Sequence, residues 1–140
     1  GGKTLSGIFY LTNKVPHISH RNEEIPSQTT VAFQAGPRLV TNHQPIELST
    51  TDIATRRSGI AITNDNMIII YATQLRFPGA SLVQIQQMLM DQRLEVKDAL
   101  NLDGGGSSQL YVEAGLVSPG KEIYISGGDA IPVGLVIKQQ

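Results

Sequence analysis

The residues best suited to chemistry lie together between Ala99 and Tyr111, in the run Ala-Leu-Asn-Leu-Asp-Gly-Gly-Gly-Ser-Ser-Gln-Leu-Tyr. An apolar strand ends at Asp103, three glycines and two serines follow, and a second strand begins at Leu110. A hairpin needs only one or two residues with positive φ, so Gly104, Gly105 and Gly106 exceed what turning requires. Their backbone N–H groups can approach a guest closely, and an anion suits such a loop. Asp103 stands at its rim, where a carboxylate moves a proton or holds a metal. From these residues alone two readings stand: a tight turn with an Asx-type opening, or an anion-binding loop. Nucleotide loops are excluded. A Walker A loop needs Lys-Ser/Thr after its last glycine, and Ser107-Ser108 follow here; a dinucleotide fingerprint needs a third glycine where Gln109 stands.

Four other groups are candidates. In Gln34-Ala35-Gly36-Pro37-Arg38, an amide and a guanidinium at one strand end suit a sugar hydroxyl and a phosphate, although Gly-Pro is also ordinary turn punctuation. Arg56-Arg57 enter a strand in which Ser58, Ile60 and Ile62 share one face. Arg57 then lies on the opposite face with Gly59 and Ala61, small residues that leave room for a ligand. Arg76 sits close to a helix start, a place that attracts anions. His17 and His20 face opposite ways on an extended segment with no third ligand near, so they read as loop composition rather than zinc ligands.

The elements that must position these groups are mostly strands. β-Prone runs occur at 7–11, 29–33, 39–40, 58–63, 67–72, 99–102, 109–113, 122–125 and 132–138, with turn chemistry at Asn42-His43 and at Asn64-Asp65-Asn66. The run 13–27 is polar and broken by Pro16 and Pro26, and reads as loop with one edge strand. Residues 67–72 are apolar enough to be buried on both faces. One helix is expected over Ser81–Gln92, with Ser81 and Gln84 forming a capping box. Its buried stripe is expected at Leu82, Ile85, Met88 and Leu89, with Gln86, Gln87 and Asp91 facing out. The class is α+β, with a mostly antiparallel or mixed sheet.

At 140 residues and 40% hydrophobic the chain is one domain with enough apolar residues for a core. A net charge of −1 argues against nucleic-acid or anionic-membrane partners. The longest apolar run, 67–72, is far short of the ~20 residues of a membrane helix. The absence of cysteine rules out disulfides, thiol chemistry and Cys-ligated zinc.

Five islands, taken in order, resemble the phosphodiester glycosidase family. They are Gly7-Ile8-Phe9-Tyr10, Phe33–Val40, Arg57-Ser58-Gly59-Ile60-Ala61-Ile62, Gly79-Ala80-Ser81-Leu82 and Asn101–Ser108. The last fits the most distinctive signature of that family without a mismatch. Two departures occur: Ala61 replaces a family glycine, and Gln74-Leu75-Arg76 stands where Asp-Gly-Arg is often found. The family also carries an Asn-Gly-Gly-aromatic motif upstream, which Gly1-Gly2-Lys3 does not supply. The resemblance thus implies an incomplete domain lacking its N-terminal strands, with that missing segment as a partner.

The resemblance implies hydrolysis of a sugar 1-phosphodiester in bacterial cell-surface glycan or exopolysaccharide metabolism. It also implies periplasmic, extracellular or membrane-tethered placement. Asp103 becomes the base that activates water. Arg57, with Arg38 and the N–H groups of Gly104, Gly105 and Gly106, would stabilise the departing phosphate. Gln34, Arg76, Ser107 and Ser108 would bind sugar or phosphate. No cofactor is expected. A divalent metal at Asp103 remains open, without a second clustered carboxylate to share it. The alternative is a non-catalytic carbohydrate- or polyanion-binding module using the same cleft.

Overall fold

The computed structural model describes residues 5–49, 51–74, 79–131 and 133–138. Among them are ten strands and one α-helix, and every strand pairing is antiparallel. The α+β class expected from the sequence is the one observed.

The first sheet is built from β1 (Gly7–Thr12), β2 (Val15–His20) and β3 (Thr29–Ala35), in the order β2-β1-β3. Asn13 and Lys14 both adopt positive φ and close the β1–β2 hairpin tightly. Pro16 is tolerated because β2 is an edge strand.

The second sheet holds β4 (Arg38–Thr41), β5 (Gln44–Pro45), β6 (Ser58–Thr63), β7 (Ile68–Ala72) and β8 (Val96–Asn101). Its order is β5-β4-β8-β6-β7, so β8, which leads into the glycine loop, is central. Asn42 and His43, again at positive φ, turn β4 into β5. The Asn64-Asp65-Asn66 turn joins β6 to β7, and the Thr63 hydroxyl donates to the Asp65 carboxylate, holding it below the usual carboxylate range. A last pair, β9 (Leu110–Val112) with β10 (Ile123–Ile125), follows the glycine loop.

Two cores result from the alternation along β6 and β8. Ile60, Ile62 and Leu100 face the three-stranded sheet and meet Phe9. Ala61, Val96 and Ala99 face the helix α1 (Leu82–Leu89) and meet Ile85 and Leu89. The molecule is thus layered as small sheet, large sheet and helix.

The structure corrects the sequence expectation in four places. The helix stops at Leu89, and a separate 3-10 turn at Gln92–Leu94 takes up the rest of the expected 81–92 span. The capping box at Ser81 and Gln84 is present as expected. Gln86 and Met88 exchange roles: Gln86 is buried, while Met88 is 65% exposed. The reason is non-local. The Gln86 Nε2 donates to the carbonyl of Leu39, which also accepts from the Ile46 N–H, and to that of Ile46, which has no other donor among the described residues. Strand β7 is an edge strand rather than one buried on both faces, and Ile68 and Ile70 remain exposed. Finally, residues 133–138 form no strand and lie exposed; Pro132 falls outside the described residues.

No helix among the described residues is long and apolar enough to cross a membrane.

Replacing Gln86 by Leu removes the donor from the Ile46 carbonyl and one of two donors from the Leu39 carbonyl, and is expected to cost roughly 1–3 kcal/mol. Met88→Ala, by contrast, should stay within about 0.5 kcal/mol. Urea unfolding with unchanged m-values checks both; equal effects would contradict the observed orientation.

Candidate functional site

The site grows out of the end of β8. Asn101 is buried, takes its own backbone bond to the Pro37 carbonyl, and donates from Nδ2 to the Gly36 carbonyl. The Gly36-Pro37 turn is thereby held beside the strand that delivers Asp103. Gln34 is exposed at this same end, with Phe33 and Ala35 packed inward on either side.

Beyond Leu102 the chain leaves the sheet. The Asp103 carboxylate is exposed, and its Oδ1 accepts from the Gly104 N–H at 2.8 Å. The Asp103 carbonyl accepts from Ser58 Oγ at 2.8 Å and, more weakly, from Ser108 Oγ. Gly105 donates to the Arg56 carbonyl at 2.9 Å, and a 3-10 turn over Gly105–Ser107 closes the loop. Two of the three glycine N–H groups are therefore already engaged. Gly106 N–H has no partner among the described residues.

The glycines are required for different reasons. Gly105 has φ +60°, where side chains are strained. At Gly106 a Cβ would lie 2.2 Å from Oδ2 of Asp129, so only glycine lets that carboxylate rest against the loop. The Gly106 carbonyl accepts from the N–H groups of Gly128 and Asp129, and Gln109 Nε2 donates to the Asp129 carbonyl. Asp129 is thus fixed as a second exposed carboxylate on the loop. Asp129 is absent from the residues expected at the site; its signal in the sequence is Gly127-Gly128-Asp129.

Behind the loop stand the two consecutive arginines. Arg56, also absent from the expected site, sends Nη2 to the carbonyls of Ser108 and Ser126. Arg57 lies on the other side. Its Nη2 meets both oxygens of Asp52, at 2.8 and 3.0 Å, and its Nε donates to the Ala80 carbonyl. Asp52 also accepts from Leu82 N–H in the first turn of α1. Nη1 of Arg57 has no hydrogen-bond partner among the described residues, and it lies 3.6 Å from where a Gly104 Cβ would be. The space expected beside Gly59 is filled: a Cβ there would meet the Tyr71 hydroxyl at 2.0 Å. Burial pushes the Tyr71 phenol well up from its ordinary value, and the Arg57 charge opposes this.

The structure brings together Asp103, Gly104, Gly105, Gly106, Ser107 and Ser108, with Arg57 behind them. Ser108 is fully buried, which leaves Ser107 as the more accessible hydroxyl. Arg38 is directed elsewhere, donating from Nη1 to Thr41 toward the opposite end of the sheet. Arg76 lies outside the described residues. Among the described residues no three His, Cys, Asp or Glu side chains are grouped to hold a metal. Asp103 and Asp129 offer oxygen donors of the kind Mg²⁺ and Ca²⁺ take, as two contributors to a larger shell.

The chain matches the phosphodiester glycosidase family over residues 2–138. It belongs to that family. Among solved structures, the chain is similar to the zebrafish N-acetylglucosamine-1-phosphodiester alpha-N-acetylglucosaminidase catalytic domain, auto-inhibited by its pro-peptide, at 16% identity and a TM-score of 0.58. That match covers 74% of this chain and 41% of the zebrafish one, so the chain spans about two-fifths of that relative, and the likeness concerns the fold. A hypothetical protein from Synechocystis matches at 21% identity and a TM-score of 0.45, over 74% of this chain and 29% of the other. No curated protein sequence matches.

The Arg57–Asp52 pair is partly shielded, with side chains 12% and 20% exposed. Losing either partner strands the other's charge, at a cost discounted here to roughly 1–3 kcal/mol because solvent still reaches the pair. Arg57→Ala and Asp52→Ala should each destabilise by that amount, and the double variant by clearly less than their sum. Denaturant unfolding of the four proteins measures this coupling; strict additivity would show the pair to be inert.

Proposed function

We propose that this chain supplies the glycine-loop wall of the active site of a hydrolase cleaving a sugar 1-phosphodiester, at the bond between the anomeric carbon and the phosphate oxygen. One observation carries the reading: Asp103, at the head of the glycine loop, and Asp129, packed against Gly106 from a second turn, set two exposed carboxylates at a loop whose Gly106 N–H is unclaimed among the described residues. Glycoside hydrolysis ordinarily uses two carboxyl groups, one serving the leaving oxygen and one the incoming water or nucleophile.

In the proposed step Asp103 accepts a proton from water. The water oxygen bonds to the anomeric carbon, and the carbon–oxygen bond to phosphate breaks. The phosphate departs as a monoester, whose second pKa near 6 makes full protonation of the leaving oxygen less necessary than in an ordinary glycoside. Gly106 N–H and the positive field of Arg57 behind Gly104 stabilise the charge gathering on that phosphate. Asp129 orients the sugar or exchanges the second proton, and Ser107 is placed to hydrogen-bond the sugar or the phosphate. Gln34, exposed at the same end of the sandwich, is available to a sugar hydroxyl.

The opposite wall, in this reading, comes from a segment bearing the Asn-Gly-Gly-aromatic motif, since the chain spans about two-fifths of the zebrafish structure it resembles. Substrates drawn from bacterial cell-surface glycans or exopolysaccharides, met in the periplasm, outside the cell or at a membrane, are part of the same proposal. Their support is the family resemblance.

Asp103→Asn and Asp129→Asn should each lower kcat on a sugar 1-phosphodiester by about a hundredfold or more, the range of general acid–base catalysis, with circular dichroism unchanged. Assay of released sugar in the protein carrying this chain decides the matter. Full turnover by either variant removes that residue from the chemistry. Binding without turnover by the unmutated protein replaces the enzyme with a carbohydrate- or polyanion-binding module.

A further inference from the structure

A second polar cleft runs along the side of the sandwich, between the edge strand β2 and the β4–β8 pair. Its volume is about 220 Å³, below the roughly 300–1,000 Å³ of sites for larger ligands and suited to a single sugar ring. Arg38 and Asp98 both line it, yet they form no ion pair with each other among the described residues.

Each has unmet hydrogen-bonding capacity. The Arg38 Nε is sealed from solvent and Nη1 donates to Thr41, which leaves Nη2, without a partner among the described residues, as the donor open to the cleft. Asp98 is 7% exposed; its Oδ1 accepts from the Asn42 N–H at 3.0 Å, and its Oδ2 has no hydrogen-bond partner among the described residues. Solvent reaches the free Asp98 oxygen, so a ligand that fills the cleft gains most by donating to Asp98 while accepting from Arg38. The remaining charged lining, Glu23 against Lys97, is also balanced in sign. A phosphate or polyanion would satisfy Arg38 and be repelled by Asp98; a cation would suffer the reverse. Hydroxyl groups do both jobs at once. Tyr10 and His17, stacked with ring centroids 4.9 Å apart, add a flat aromatic wall of the kind that pyranose C–H faces rest on.

We propose that this cleft is a binding site for a neutral saccharide ring, separate from the glycine loop. Asp98 accepts from its hydroxyls and Arg38 donates to its oxygens. Asp98 precedes Asp103 by five positions along β8 and its exit, a backbone separation of at most roughly 16 Å at about 3.3 Å per extended residue. The site would hold one unit of a longer glycan while the loop addresses another. Binding there does not depend on the loop's chemistry, since only groups of the cleft take part.

The test is amide chemical-shift mapping of the chain titrated with methyl α-D-glucopyranoside, with methyl N-acetyl-β-D-glucosaminide, and with inorganic phosphate as separate arms. Saturable shifts at Asn42, Lys97 and Asp98 with either glycoside, and none there with phosphate, are expected. Asp98→Asn keeps an oxygen for the Asn42 N–H while removing the charge, and should weaken the saccharide about tenfold, the loss of one charge-assisted hydrogen bond. Equal shifts with phosphate, shifts confined to Gly104–Ser108, or no saturable change with either glycoside would each overturn the proposal. The wild-type map decides even if Asp98→Asn fails to fold.

Discussion

The structure around the loop depends on two consecutive arginines at the entrance to β6. Because adjacent residues of an extended chain point to opposite sides, Arg56 and Arg57 reach in different directions from one stretch of backbone. Arg56 gathers the carbonyls of Ser108 and Ser126, and its own carbonyl receives the Gly105 N–H. Arg57 gathers Asp52 and the Ala80 carbonyl, and through Asp52 the first turn of α1. The glycine loop, the turn at Gly127-Gly128-Asp129 and the helix start are thus referenced to the same two residues. A guanidinium suits this task because its donors lie in a rigid fork and its charge does not titrate.

This arrangement revises what the three glycines are for. Their number alone suggests a row of amides turned toward an anion. In the fold most of that row is spoken for, by Asp103 at Gly104 and by Arg56 at Gly105. What the glycines chiefly provide is close approach, and the closest is that of the Asp129 carboxylate to Gly106. The loop therefore brings carboxylates together as much as it presents N–H groups, a different electrostatic character from a phosphate-binding loop of the nucleotide type.

Local pattern explains why much of the fold was legible. Alternation marked β6, the tight turns at 42–43 and 64–66 marked two hairpins, and the Ser81–Gln84 box marked the helix start; each depends on neighbours within a few residues. The misses all involve distant partners. Gln86 sits on a face that helical period assigns to solvent, and it is buried because its amide bridges the carbonyls of Leu39 and Ile46, the latter without another donor among the described residues. Strand β7 reads as central from its isoleucines, but strand order, which no single segment encodes, puts it at the edge. At the site, Asp103 was legible from its own loop. Asp129, 26 residues later, becomes relevant only when the chain folds back onto Gly106.

Arg57 illustrates how a residue read from sequence as a phosphate ligand changes meaning in context. Its charge is matched by Asp52, so at distances beyond the pair the two largely cancel. Close to the loop they do not: Asp52 engages Nη2, on the side of α1, whereas Nη1 is turned toward Gly104. A charge developing at Gly104–Gly106 would meet the positive end of an oriented dipole whose orientation is held by the helix start and the Ala80 carbonyl. Such a fixed dipole needs no reorganisation when charge appears, which is the condition under which an electrostatic contribution to catalysis is largest. It also means that the stability of the helix start and the field at the loop are set by one ion pair, so a change at Asp52 reaches the site without touching it.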